Sequence, residues 1–226
     1  MTGHSGGPLK RYVLNERLLA RIESVGGLTI LELGAGNGYF LPLLMRRFSG
    51  QTPDRLLITD QSQALLDIAQ TTFRIDGAEY ARLDVQQPFP LEDASVDLLL
   101  AIMLFNELPT GMLTAALAEC RRILRADGQL LAAVPHPAFV QALAKKGALT
   151  DFGRGLFAMP GADGLKLPVS RRPVEAYTLL LTCAGFRVAL EDVYADEKTR
   201  HEKSGLSVGR NTPLALICDC RVDLTP

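Results

Sequence analysis

The sequence predicts an α/β chain built on a doubly wound, seven-stranded, mostly parallel sheet whose last strand runs antiparallel. Three observations carry this expectation. From Leu28 to Val193, short apolar runs alternate with segments of helical spacing, the pattern of a parallel sheet covered on both faces. Leu98–Phe105 is uninterruptedly apolar, as a central strand buried on both sides requires. A glycine-rich turn, Gly34-Ala35-Gly36-Asn37-Gly38, stands where the first strand would hand over to a helix.

In chain order, Gly3–Pro8 reads as a flexible leader and Leu9–Val25 as an amphipathic helix with Val13, Leu14, Leu18, Leu19 and Ile22 at helical spacing. Thr29–Leu33 is the first strand. Tyr39–Phe48 is a helix whose Pro42 falls in the first turn, where no needed hydrogen bond is lost. Arg55–Thr59 is the second strand, and Ser62 is suited to cap a helix running to Phe73. Glu79–Asp84 and Leu98–Phe105 are the third and fourth strands. Thr110–Arg125 is a helix ended by Asp127-Gly128, and Gln129–Val134 is the fifth strand. Pro173–Ala184 is a helix closed by Gly185. Phe186–Tyr194 and Leu214–Val222 are the last strands; with no helical pattern between them, they are expected to pair antiparallel.

The stretch Lys146–Arg172 is irregular, rich in Gly and Pro, and carries Phe152, Phe157 and Met159. A loop of that length is either functional or disordered, and its aromatic content favours a substrate lid over a free tail. With 226 residues, the chain is expected to form one domain over 1–226, with a leader and helix over 1–27 and a lid insertion over 146–172.

Charge narrows the function. The 24 basic and 25 acidic side chains leave a formal net charge of −1, without the basic balance of a nucleic-acid binder, so no nucleic-acid partner is expected. No apolar run approaches the roughly 18 residues of a membrane span, and the N-terminus lacks the apolar core of a secretory signal. Cys218 and Cys220, two apart on a strand, share a face and read as small buried thiols, the alternatives being metal ligation or a redox pair. A cytoplasmic location is expected.

In an open parallel sheet, ligands lie across the carboxyl ends of the strands. There the first strand ends in Glu32, placed to attract a cationic amine, followed by Gly34, Gly36 and Gly38, which let backbone approach a ligand closely. The G-x-G-x-G spacing is tighter than the G-x-G-x-x-G of dinucleotide sites, and the preceding acid suits an amine and a ribose better than two phosphates. Asp60 ends the second strand at the offset from which a carboxylate can accept ribose hydroxyls; it is equally suited to serve as a helix N-terminal acid. Asp84 ends the third strand, where it can accept from an adenine amino group while the Val85 N–H donates to the ring.

LTILELGAGNGYFLP (Leu28–Pro42) resembles motif I of the class I S-adenosylmethionine (SAM) dependent methyltransferases, a family with a Rossmann-like fold. RLDVQQPFPLEDASVDLLLA resembles the family's stretch from the adenine-contacting acid to the strand opened by Asp97. LAECRRILRADGQLLAAVP and SRRPVEAYTLLLTCAGFRV are similar to its later helix-strand units, with Asp127-Gly128 where Pro-Gly-Gly is usual. The resemblance implies S-adenosyl-L-methionine as cofactor. Gly34, Ala35, Gly36 and Gly38 would flank its methionine part, Asp60 and Gln61 its ribose, and Asp84 and Val85 its adenine. Ala101 and Ile102 would form the floor under the sulfonium. Tyr12 would cap the cofactor or lie on the surface.

The expected activity is methyl transfer to O, N or C of a small-molecule acceptor. The alternatives are an NAD(P)-dependent oxidoreductase and a non-catalytic SAM-binding regulatory partner. The Asn/Asp-Pro-Pro-aromatic run of exocyclic-nitrogen methylation is absent; MLFNELP stands in its place. Its Asn106 and Glu107 either face the acceptor or cap the next helix. His136, between Pro135 and Pro137, is the candidate base, with a backbone-bonding turn as the other reading. Arg171 and Arg172 either pair an acidic group or start a solvated helix. No metal site is expected, and oligomeric state stays open.

Overall fold

Alternation within the strands decides which face each residue covers. Ile30, Leu98 and Leu100 point to one side of a seven-stranded sheet, and Leu31 and Leu99 to the other. The computed structural model describes residues 7–153, 155–160, 166–203, 206 and 208–224. The strands are β1 (Thr29–Glu32), β2 (Arg55–Asp60), β3 (Glu79–Arg82), β4 (Val96–Ile102), β5 (Leu124–Pro135), β9 (Phe186–Val193) and β10 (Ala215–Val222) in the order β3-β2-β1-β4-β5-β10-β9. β1 pairs parallel with β2 and β4, β2 with β3, and β4 with β5, while β10 runs antiparallel to β5 and β9. The strand order reverses between β1 and β4, which opens the crevice at their carboxyl ends.

One face is covered by α1 (Asn15–Leu19), α2 (Phe40–Arg47) and α3 (Gln63–Thr72), which bury Leu18, Phe40, Leu44 and Leu66. The other is covered by α4 (Thr110–Ile123) and α6 (Val174–Cys183), with Leu113, Leu117 and Leu181 buried. Truncating one of these leucines to Ala costs about 2–5 kcal/mol. Cys120, Cys218 and Cys220 are free and buried in this second core, where burial pushes their thiols up; they pack as small apolar groups.

Several expected elements differ. The helix expected over Leu9–Val25 opens with a π-helical turn, Lys10–Leu14, and α1 stops at Leu19. Arg21 and Ile22 donate to carbonyls three residues back, yet Ile22 and Val25 stay buried, so the apolar spacing reported burial beyond the helix. Leu124 and Arg125, expected at the end of the helix, join β5 together with Ala126–Gly128, and the pairing steps from Val96↔Leu124 to Leu98↔Gln129, so Asp127-Gly128 sits in a bulge. A short polar helix, α7 (Glu197–Glu202), lies between the last two strands, capped by Asp196. It was missed because Arg200 is its one buried residue.

The stretch after β5 is not irregular. His136 caps α5 (Pro137–Lys145). Beyond it, β6 (Thr150–Asp151), β7 (Leu156–Pro160) and β8 (Lys166–Ser170) form a separate antiparallel sheet, which buries Phe157 and Val169 against Val140 and Leu149. Residues 1–6 of the expected leader, and 154 and 161–165 of the expected lid, lie outside the described residues.

Candidate functional site

The end of β1 is tied to its neighbours before it turns. Leu33 N–H donates to the Leu100 carbonyl at 2.9 Å, Ala35 N–H to the Thr59 carbonyl at 2.9 Å, and the Thr59 hydroxyl to the Glu32 carbonyl at 2.8 Å. The turn then needs left-handed backbone, with φ +61°, +60° and +74° at Gly34, Gly36 and Gly38. A Cβ on Gly38 would lie 2.6 Å from Ala69 Cβ, and one on Gly34 would lie 2.8 Å from Leu104 Cδ1. At Gly36 nothing lies within 4 Å among the described residues, so the turn leaves open space at its tip.

Asp60, 7% exposed, holds this turn. One carboxylate oxygen accepts from the Gly36 N–H and the other from the Ser62 N–H, both at 2.9 Å. Ser62 in turn caps α3. Glu32 is 2% exposed, and its Oε2 has no hydrogen-bond partner among the described residues. Burial pushes its carboxyl up to about 8, against the attraction of Lys10 and with help from the charge of Asp60. A buried carboxyl oxygen without a donor, beside an open glycine turn, could hold a ligand ammonium.

The loop after β4 closes the site from the other side. Met103 takes φ +62°, a strained conformation for a long side chain, and donates its N–H to the Ala133 carbonyl at 2.7 Å. Leu104 then packs on Gly34, and Glu107 N–H closes a turn onto the Leu104 carbonyl at 2.9 Å. Burial pushes the Glu107 carboxyl up to about 7, with Lys10 pulling down and Asp60 pushing up. Asn106 is buried, and its side-chain carbonyl has no partner among the described residues.

This loop is anchored by the small sheet. Ser170 N–H donates to the Asn106 carbonyl at 2.8 Å; Arg172 donates to the carbonyls of Phe105 (3.2 Å) and Leu108 (2.7 Å). Arg172 is buried with its guanidinium 5.0 Å from the Tyr177 ring centre, so it is neither solvated nor free to meet an acidic group.

The remaining expected residues divide. Asp84, half-buried, accepts from the Gln86 N–H at 3.0 Å, and Val85 is also half-buried beside it. Gln61 is exposed, its carbonyl accepting from Arg82 at 3.0 Å. Ala101 and Ile102 are buried in opposite cores, so their side chains leave the sheet on different faces. Tyr12 is 43% exposed, with Lys203 Nζ 4.6 Å from its ring centre. His136 caps α5: Nδ1 accepts from the Ala138 N–H at 3.0 Å and Nε2 faces Asp192 Oδ1 at 3.2 Å, so both nitrogens are engaged. Burial lowers its pKa, partly offset by Asp192. Lys10 was missed. Its Nζ lies 5.4 Å from the Tyr39 ring centre, and burial lowers its pKa, partly offset by Glu32, Glu107 and Asp60, yet in the sequence it reads as one basic residue near a leader.

Among the described residues, no cluster of His, Cys, Asp or Glu is suited to hold a metal, and no helix is long and apolar enough to cross a membrane. The methyltransferase-domain family matches residues 30–128, from β1 into the bulge before the paired part of β5. A malonyl-[acyl-carrier protein] O-methyltransferase of Methylococcus capsulatus is 28% identical over 223 residues, covering 95% of this chain and 68% of that protein. A highly reducing polyketide synthase of Aspergillus nomiae is 32% identical over 114 residues, 46% of this chain but only 4% of the synthase. An S-adenosylmethionine dependent methyltransferase from Mesorhizobium loti has a TM-score of 0.69 at 18% identity, over 91% of this chain and 96% of its own, a likeness of fold. The family match spans the glycine turn, Asp60 and Asp84, so over residues 30–128 the chain is similar to the methyltransferase-domain family, and its strand order is the fold of the S-adenosylmethionine dependent methyltransferase structures it resembles.

Proposed function

We propose that the chain transfers a methyl group from SAM to O, N or C of a small-molecule acceptor. The observation that carries this reading is the orphaned Glu32 oxygen beside the open glycine turn. An amino-acid ammonium satisfies it, and the absent Cβ at Gly36 leaves room for the rest of that ligand. Asp60 and Gln61 then take the ribose hydroxyls, the former with carboxylate lone pairs left after its two backbone bonds, and Asp84 and Val85 take the adenine.

SAM, when bound, supplies a methyl already activated on a sulfonium, so the protein's work is alignment. The Asn106-Glu107 turn faces the acceptor side in this reading, fixed by Arg172 and Ser170. Glu107 replaces His136 as the group to take a proton: a carboxyl near 7 is half ionised at neutral pH and can accept one from an acceptor O–H or N–H. The acids gathered here favour a neutral or cationic acceptor over an anionic one. The region 146–172 is read as the acceptor wall of a single domain spanning 1–226.

The test is calorimetric titration with SAM and with NADH, followed by transfer of labelled methyl from SAM into a metabolite pool. Saturable SAM binding and labelled product are expected. Binding of NADH without SAM defeats the reading; SAM binding without transfer to any acceptor points to a regulatory partner. Malonyl-[acyl-carrier protein], named for the Methylococcus relative, is the anionic acceptor to include.

A further inference from the structure

β9 is the last strand of the large sheet, so one of its edges is open. The other edge pairs with β10 over the whole strand, from Val222↔Phe186 to Ala215↔Val193, without a register shift. Among the described residues, the only backbone hydrogen bond to β9 outside that ladder runs from Leu214 N–H to the Val193 carbonyl and extends the same pairing. The opposite edge strand, β3, is four residues long, whereas β9 has eight, with no proline and no bulge. A long unbroken edge of this kind is a template for a further strand.

Its side chains say which strand fits. Glu191 lies on the α1 side of the sheet, paired with Arg17 at 2.9 Å and with Arg21, and strand alternation puts Arg187 and Ala189 on that side too. Val188 and Leu190 pack on the other core. Arg187 is exposed and has no ion pair among the described residues; directly opposite it on β10 stands Arg221, a like charge.

We propose that β9 pairs antiparallel with β9 of a second copy of this chain, about a two-fold axis at Ala189. Facing residues of an antiparallel pair share a side of the sheet, so this register sets Arg187 against Glu191 of the second copy and Val188 against its Leu190. The symmetry makes each contact twice. Moving the axis to Val188 or Leu190 sets Arg187 against Ala189 or Val193 and loses both ion pairs. Charged side chains commonly guard an edge against pairing; here their signs select one pairing. The Glu191 carboxylate has lone pairs for a third donor, and Arg187 gains the acid it lacks. The shared ladder and the apolar pairs supply affinity, and the ion pairs fix register. β5 and β10 separate β9 from the crevice between β1 and β4, so the inference stands apart from the SAM reading.

The test is sedimentation of the full chain across micromolar concentrations, with two kinds of variant. The unaltered chain is expected to form a dimer as concentration rises. Ala189 is exposed, so Ala189→Lys is expected to keep the native far-UV circular dichroism while setting two cations on the axis, and to sediment as a monomer. Register is read by crosslinking in a Cys183→Ser background, which removes the exposed native thiol. Ala189→Cys is expected to form an interchain disulfide on oxidation, because facing Cα atoms lie about 4.5–5.5 Å apart, within disulfide reach. Asp192→Cys, which faces Phe186 of the second copy, is expected to crosslink far less. An unaltered chain that stays monomeric overturns the proposal, and so does a dimer that survives Ala189→Lys. Crosslinking at position 192 equal to that at 189 overturns the register.

Discussion

Replacing Glu32 with Gln should make the protein more stable and a poorer binder. Its carboxyl, buried and lacking a donor on one oxygen, titrates at about 8 in the folded chain against an ordinary 4.5. A raised folded value means that the favourable contribution is complete below 4.5 and is lost as pH climbs to about 8. At pH 7 the folded chain must hold a proton that the unfolded chain has released, at a cost of about 3 kcal/mol. Gln removes this cost but leaves its own amide short of a partner, a loss of about 1 kcal/mol. The net gain of about 2 kcal/mol corresponds to a Tm rise of roughly 4–8 °C for a chain of this size. Urea denaturation of both proteins from pH 4 to 9 reads it directly: the difference should be near zero or slightly negative at pH 4 and grow through pH 8. SAM affinity should meanwhile fall by about tenfold or more, since Gln, unlike Glu32, cannot give up a proton to become a charged acceptor for the bound ammonium. A stability difference that does not change with pH, or a less stable variant at pH 8, would refute the argument that Glu32 is an unsatisfied buried acid.

Asp60→Ala should weaken SAM binding by an order of magnitude or more, from loss of charge-assisted bonds on the order of 1.5–3 kcal/mol, and should destabilise the empty chain by freeing the Gly36 and Ser62 amides; unchanged affinity in calorimetry would mean the ribose is misplaced. Gly38→Ala, with its Cβ against Ala69, should cost several kcal/mol in denaturant titration, whereas Gly36→Ala should cost about 1 kcal/mol for its backbone and chiefly harm SAM binding. His136→Ala should lose about 1 kcal/mol with the α5 cap and leave SAM affinity alone; a selective loss of methyl transfer at unchanged stability would return His136 to the mechanism. Arg172→Met should strip donors from the Phe105 and Leu108 carbonyls and speed hydrogen exchange in that loop, with SAM affinity little altered.

The glycine turn and the acids at the strand ends were legible because their signals are local. A strand ending in an acid, with three glycines in the six residues that follow, specifies the β1 turn, and Asp60 and Asp84 are found by counting to the ends of the next two strands. The sheet was legible for the same reason, since period-2 burial and apolar runs are short-range signals. The loop after β4 is built from contacts between residues far apart in sequence. Arg172 reaches back 67 residues to the Phe105 carbonyl, and Ser170 to Asn106. No spacing rule announces an arginine whose partners are backbone carbonyls; at the head of α6, two successive arginines read as a solvated start. The small sheet was hidden likewise, because Gly and Pro mark turns without saying whether strands lie between them. His136 was ambiguous by type: an imidazole suggests a base, while Pro137 after it already spelled the helix N-terminus that engages its Nδ1. The lesson extends to Glu107. Its type alone was ambiguous between cap and acceptor contact, and what the structure adds is burial, which pushes its carboxyl up with Lys10 pulling down and Asp60 pushing up, none of it visible in the local sequence.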